Sequence, residues 1–422
     1  MMVHLPYGKT LIEFDAAGAN VLTSRIDQLK SEGNGGDIVK KAMDNPIDSP
    51  KLSQLAKGKK SAVIIVSDHT RPVPSRDILP HMLRELREGS PHIDVTLLVA
   101  TGFHRPTSKQ ELVSKMGEEI VNNEKIVIHD SRDAAANVQV GILPSGAPLV
   151  IDRLAVETDL LVSEGFIEPH FFAGFSGGRK SVLPGICDQV TVLGNHCGAF
   201  IGSPYSRTGV LDGNPIHTDM LAAGRLAKLA YIVNVIIDEN KKTVAAYAGN
   251  FETAHRAGCD FLKGFCVVEP APADIAITTN GGAPLDQNLY QCVKGMTAAE
   301  ATVKPGGVII ECVECADGTG GDAFYRSLRD CESAEKLYEQ FMNTPQAETI
   351  PDQWESQILA RVLRAHRVIL VSRPEMEQIA KDMKMEFAKT LPEAIDMAKG
   401  YLGKNASVTV IPNGIAVIVN QR

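Results

Sequence analysis

Between positions 174 and 181 the chain reads Gly-Phe-Ser-Gly-Gly-Arg-Lys-Ser. Glycines let backbone N–H groups come close to an anion, and Arg179 or Lys180 can neutralise it. Gly174, Lys180 and Ser181 stand in register with a P-loop, but Arg179 takes the place of its second glycine. The P-loop pattern is therefore not satisfied. A nucleotide phosphate still suits this run, whereas ordinary triphosphate hydrolysis does not. A tight turn with solvated cations is the other reading of the same residues.

Histidines supply the next candidates. His104 and His170 each follow an apolar run by a few residues. An imidazole takes and returns a proton near neutral pH, and two of them could serve opposite faces of one substrate, as stereoinversion requires. Either could instead order its own loop. His196 lies sixteen residues beyond Lys180. Neutral imidazole suits nickel, copper or zinc. No neighbouring histidine completes an all-protein cage, so a metal on His196 needs most of its ligands from a cofactor. His69 and His129 are weaker candidates that suit loop ordering. Gln291 and Lys294, three apart, share a helix face and offer an amide and a cation to a carboxylate. Trp354, the single tryptophan, could wall a pocket or anchor a core. Cys312 and Cys315 form the one CxxC pair, a weak zinc signal that reads better as two strand-end thiols.

These residues need a scaffold. Short apolar runs rich in β-branched residues recur at Ser61–Ser67, 95–100, 159–163, Leu229–Ile237, 274–278, 307–311, 368–371 and 408–419. Helix-like segments such as 78–88 and 108–122 separate many of them. This alternation predicts an α/β fold of two domains with largely parallel or mixed sheets and an active-site cleft between the domains. The first domain is expected over 1–266 and the second over 273–403, with Pro270 and Pro272 in the linker. Pro412-Asn413-Gly414 suggests a hairpin, whose strands in 404–422 could pack back on the first domain. Polar motifs follow the strands: SDHTRP after Val66, TGFHRP after Ala100 and EGFIEPHFF after Ser163. Ligands of open α/β sheets bind beyond the carboxyl ends of strands, which would gather Asp68, Arg71, His104, Arg105 and His170.

Composition narrows the classes. The 422 residues exceed one typical core, and 44% are apolar. A net charge of −8 argues against a nucleic-acid partner. Apolar runs fall far short of the roughly 20 residues of a membrane span. Glu13 and Asp15 in a mixed N-terminal stretch do not read as a signal peptide. The expectation is a cytoplasmic protein whose eight cysteines are reduced thiols.

Taken together, the motifs resemble the nickel-pincer lactate racemase family. They are Ser67-Asp-His-Thr-Arg-Pro72, Thr101-Gly-Phe-His-Arg-Pro106, the run from Glu168 to Gly185, Gly194-Asn-His196, Leu285 to Gln291 with Lys294, and Asp352-Gln-Trp354. The similarity covers most of the chain in the same order. The resemblance implies nickel and a pyridinium-3-thioamide-5-thiocarboxylic acid mononucleotide, which binds the metal through a carbon and two sulfurs. By the same resemblance Lys180 carries this cofactor covalently, His196 is the nickel ligand, and His104 and His170 form the acid/base pair. Asp68, with Ser176, Gly177 and Gly178, belongs to the cofactor pocket. Arg71, Gln291 and Lys294 lie near the substrate or its carboxylate, and Tyr290 and Trp354 are further pocket residues. The implied reaction racemises a small 2-hydroxy acid, lactate by default. One histidine takes the hydroxyl proton while hydride leaves to the cofactor, and a planar 2-oxo acid receives hydride back on its other face. The expected partners are that substrate and the enzymes that build the nucleotide. Pocket width decides among side chains, and Phe103, Phe171, Phe172 and Ser203 could set it. Two alternatives stand: a racemase or epimerase of another 2-hydroxy acid with the same cofactor, and a nucleotide-binding phosphoryl-transfer protein built on the glycine loop.

Overall fold

The computed structural model describes every residue except 32, 421 and 422. The chain forms two compact units. One comprises the described residues of Ile26–His196 with Gly209–Gly264; the other comprises Met1–Arg25, Cys197–Thr208 and the described residues of Phe265–Arg422. They are called here the 26–264 and the 265–420 units. The chain thus passes between units more than once, where the sequence suggested a single linker near 267–272. Among the described residues no helix is long and apolar enough to cross a membrane.

In the 26–264 unit a six-stranded sheet runs in the order Thr243–Gly249, Leu229–Ile237, Leu160–Phe166, Ser61–Ser67, Asp94–Ala100, Lys125–Ile128. All pairs are parallel except the one made by Thr243–Gly249. The strands are apolar runs because helices cover both faces of a parallel sheet, and Leu160–Phe166 is buried at every position. Chain order reverses between Ser61–Ser67 and Leu160–Phe166, so a crevice opens at their carboxyl ends. The helix expected over 108–122 is two, Lys109–Met116 and Glu118–Asn123. Gly117 divides them at φ +92°, a conformation that no helix contains.

The 265–420 unit has a fully parallel sheet in the order Glu386–Ala388, Arg367–Val371, Val303–Cys312, Ala273–Thr279, Val408–Ile411, Asn20–Val21. The predicted hairpin about Pro412 does not form. Val408–Ile411 already has a neighbour on each edge, so Ile418–Val419 cannot fold back on it and pairs with Val267–Val268. The strand at 408–411 therefore belongs inside this sheet and extends its core through Val410.

Candidate functional site

Each polar motif leaves the carboxyl end of a strand in the 26–264 sheet. Asp68 directly follows Ser61–Ser67 and is almost wholly buried. Its Oδ2 lies 2.7 Å from His104 Nδ1, and its Oδ1 accepts from the Thr70 hydroxyl at 2.7 Å. Burial alone pushes this carboxyl up. The bond and charge of His104, the Thr70 hydroxyl and the charge of Arg71 outweigh burial and hold it below its ordinary value. Asp68 is therefore ionised at neutral pH and can only accept, so Nδ1 of His104 carries a proton. A neutral His104 then presents its lone pair at Nε2. Arg71 is exposed on the same loop, whose carbonyls at Arg71 and Val73 accept from Lys115 Nζ at 2.9 and 3.4 Å.

His170 stands on a two-residue strand, Pro169–His170, paired antiparallel with Gly174–Phe175. Its Nδ1 accepts from the amide of Ala173 at 3.3 Å, which places the proton of a neutral ring on Nε2. Phe171 and Phe172 pack on the imidazole, with centroids 5.2 and 4.5 Å away. Phe172 also touches the ring of His196 at 5.3 Å and lies 5.7 Å beneath the Lys180 ammonium. His170, Lys180 and His196 thus gather around one phenylalanine. His196 follows the helix Gln189–Asn195, and its Nδ1 donates to Val192 O at 3.0 Å. Burial first, then the charge of Lys180, draws the imidazole down to about 3, so it is neutral at physiological pH.

The glycine loop differs from its expected role. Gly178–Ser181 forms one tight turn instead of the opening of a long helix, as a P-loop would need. Arg179 does not face an anion; it is fully buried. Its guanidinium donates to Phe175 O and Ala173 O at 2.7 Å each, to Gly177 O at 3.2 Å and to His217 Nδ1 at 3.0 Å, and meets His255 Nε2 at 3.2 Å. Burial lowers its pKa to about 10, still a cation at pH 7. The glycines serve close packing. A Cβ on Gly177 would stand 2.7 Å from Phe166 O, and one on Gly178 would stand 2.6 Å from His255 Cγ. The amides of Ser176 and Gly178 are bonded to Glu168 O and Asn234 Oδ1. Arg179→Ala is therefore expected to destabilise the protein by roughly 3 kcal/mol or more, because several buried acceptors lose their donor together. Urea denaturation measures this, and Arg179→Lys recovers only part, having three donors for five.

In the 265–420 unit, Tyr290, Gln291 and Lys294 occupy the first turns of the helix Leu289–Glu300, capped by Asn288. Lys294 Nζ donates to Gln291 Oε1 at 2.5 Å. A helix N-terminus with an adjoining ammonium suits a carboxylate. Trp354 Nε1 donates to the Tyr290 hydroxyl at 3.1 Å, and that hydroxyl donates to Asp352 at 3.2 Å. The adjacent Glu355 is buried, which raises it to about 8 against the opposing pull of Lys294.

Other expectations resolve simply. His129 is a loop strut, bonded to Asp152 and to Cys187 O. His69 meets the Thr107 hydroxyl at 3.0 Å. All eight cysteines are free, and Cys315 faces Cys292 at 3.8 Å instead of completing a CxxC site. Sequence reasoning missed Asn234, His217 and His255, the supports of the glycine loop. No sequence signal marks them, because each stands dozens of residues from the loop.

A cofactor can be tested against this donor set. Among the described residues no three His, Cys, Asp or Glu side chains converge as a metal cage. His196 is buried and neutral, with its lone pair on Nε2, and an ammonium stands nearby. That set fits a metal whose remaining ligands come from an organic group attached close by.

Comparison with known proteins bears on the whole chain. Residues 7–209 match the lactate racemase N-terminal domain, and residues 268–419 match the lactate racemase C-terminal domain. A lactate racemase of Thermoanaerobacterium thermosaccharolyticum is 51% identical, covering 100% of this chain and 99% of that one. Another, from Lactiplantibacillus plantarum, is 52% identical over 99% of both. The solved lactate racemase apoprotein of T. thermosaccharolyticum superposes with a TM-score of 0.96 at 50% identity over the full length of both chains. A Thermotoga maritima protein shares the fold at a TM-score of 0.64 and 19% identity, covering 90% of this chain and 98% of that one.

Proposed function

The chain belongs to the lactate racemase family, and from that premise we propose that it interconverts the enantiomers of lactate with a nickel-pincer nucleotide. The observation that carries this reading is the Asp68–His104 pair, standing on the same sheet edge from which the His170 motif departs. A phosphoryl-transfer reading loses its basis, because Arg179 is an internal strut and the loop opens no long helix.

Lys180 is assigned the covalent attachment, His196 the nickel, and Ser176, Gly177 and Gly178 the neighbourhood of the nucleotide. When bound, the group supplies the acceptor and donor of the α-hydride. The chain supplies the proton traffic. His104, aligned by Asp68, accepts the hydroxyl proton at Nε2, and His170, in its protonated form, gives its Nε2 proton to an oxygen approached from the other face and is left neutral. In the reverse direction the two exchange roles. Arg71, Gln291 and Lys294 are assigned to the substrate carboxylate, and Tyr290 and Trp354 to substrate binding. Loading is expected to need the enzymes that build the nucleotide.

Enantiomers are equal in free energy, so cofactor-loaded protein should bring either pure lactate to the same equal mixture, read by chiral chromatography. Nickel-loaded protein that leaves both enantiomers unchanged refutes the proposal. A panel of 2-hydroxy acids run alongside would reassign the substrate if another has the higher kcat/KM.

Asp68 carries a sharper expectation. In Asp68→Asn the amide can donate to His104 Nδ1, which moves the imidazole proton to Nε2 and removes the base. kcat per bound nickel should fall within the ~10²–10⁴ range that acid–base groups contribute. Asp68, depressed when folded, also stabilises the fold above its unfolded value, and that contribution is lost only as pH falls through the still lower folded value. A melting scan below about pH 4 should therefore show a shallower acid limb for Asp68→Asn.

A further inference from the structure

The 26–264 unit contains a cavity of about 730 Å³ that none of the assigned roles requires in full. Its walls are the loop after Ser61–Ser67, the end of the helix Lys109–Met116, the turn between Leu229–Ile237 and Thr243–Gly249, and the approach to the helix Gly35–Asp44. Among the described residues five basic side chains line it: Arg71, Arg76, Lys115, whose pKa burial lowers, Lys241 and Lys242. Among the described residues none of the five forms an ion pair. Two are oriented by backbone carbonyls, and Lys115 also lies in the field of Glu164 and Asp68. Arg76 donates to Val113 O at 3.0 Å, and Lys115 to the carbonyls of Arg71 and Val73. The two carboxylates on the walls among the described residues are committed elsewhere. Glu111 binds Arg105 at 2.5 and 2.9 Å and accepts from Ser108, and Asp77 accepts from the Thr243 hydroxyl at 2.7 Å.

Arg71, Arg76, Lys241 and Lys242 are exposed and solvated, and the cluster makes this wall locally positive in a protein of net charge −8, which favours an anion there. One monocarboxylate neutralises a single cation, and the cavity lies within the ~300–1,000 Å³ usual for small-molecule sites. We propose that this cavity binds a small polyanion bearing two or more phosphate or carboxylate groups, and that its occupant slows racemisation by engaging Arg71. The second half rests on the assignment of Arg71 to the substrate; the first does not.

Calorimetric titration of the full chain tests binding with two probes, a hexose bisphosphate and tricarballylate. Neither is a 2-hydroxy acid or a strong nickel chelator. Saturable binding that weakens with added sodium chloride is expected, and the tighter probe distinguishes a phosphate from a carboxylate source. The comparison variant is Lys241→Asn with Lys242→Ala. Lys241 has φ +61°, which asparagine tolerates, so the turn should persist. Binding should weaken at least about tenfold in it, as expected when two charges leave a shared site. Absence of binding by both probes to the wild type, or equal binding by the variant, overturns the site. With loaded enzyme the bound probe should raise the apparent KM for lactate without lowering kcat, and the variant should resist this while its own rates stay unchanged. If Arg71→Ala racemises normally while the probe still binds, the substrate assignment of Arg71 fails and the cavity stands. A bound probe that leaves KM unchanged overturns the second half alone.

Discussion

His104→Ala and His170→Ala should each lose racemisation by about 10²–10⁴-fold while nickel and cofactor stay bound. The expectation follows from how the two rings are held. His104 Nδ1 faces the Asp68 carboxylate at 2.7 Å, and His170 Nδ1 accepts the Ala173 amide at 3.3 Å. The neutral rings therefore differ: one shows a lone pair at Nε2 and the other an N–H. The lone pair on His104 suits a proton acceptor, and His170 becomes the proton donor once its ring is protonated, because a neutral imidazole that lost its Nε2 proton would be left an anion. Neither is assigned as a metal ligand, so metal analysis of both variants should match the wild type. Stopped-flow absorbance with pure enantiomers should reveal an asymmetry. Each single variant can still oxidise the enantiomer whose hydroxyl faces the surviving base, accumulating 2-oxo acid once per site. Near wild-type racemisation in both variants would move the proton traffic to other groups.

Lys180→Ala and Lys180→Arg should both reduce racemisation to background, and intact-mass analysis should find no adduct on either. The arginine variant separates two roles. A guanidinium keeps the charge above Phe172 but cannot form a thioamide with the nucleotide, whereas an ammonium that deprotonates to an amine can. An active Lys180→Arg enzyme would mean that the lysine acts by charge alone. His196→Ala is the companion measurement: it should keep the adduct and lose most of its nickel, since no group of three His, Cys, Asp or Glu side chains converges among the described residues to hold it instead.

The chemistry-bearing segments were readable because their signals are local. Apolar runs marked Ser61–Ser67 and Leu229–Ile237 to the residue, and the polar motifs beyond them lie where strand ends leave the sheet. Alternation of such runs with helical segments is a short-range property, so the α/β class followed from it. Local reading also had its failures. The stretch 108–122 looks like one amphipathic helix until Gly117 takes a positive φ. Pro412-Asn413-Gly414 looks like a hairpin turn until both edges of Val408–Ile411 prove occupied.

Arg179 shows most clearly what sequence leaves open. Beside Lys180 in a glycine-rich run, the two cations look interchangeable as anion binders. Only the folded chain brings His217, His255 and three loop carbonyls together around Arg179, making it a buried strut. Asp68 is similar. Its position after a strand was evident, but its bond to His104, thirty-six residues away, depends on two neighbouring parallel strands ending in register. Residue type and spacing determined which groups could exchange protons, bind a metal or hold a carboxylate, because those capacities are properties of the side chains themselves. Tertiary structure decided which nitrogen of each histidine holds the proton, which cation is spent on the fold and which stays available for chemistry. Those depend on partners, burial and field, all of which come from segments distant in the chain.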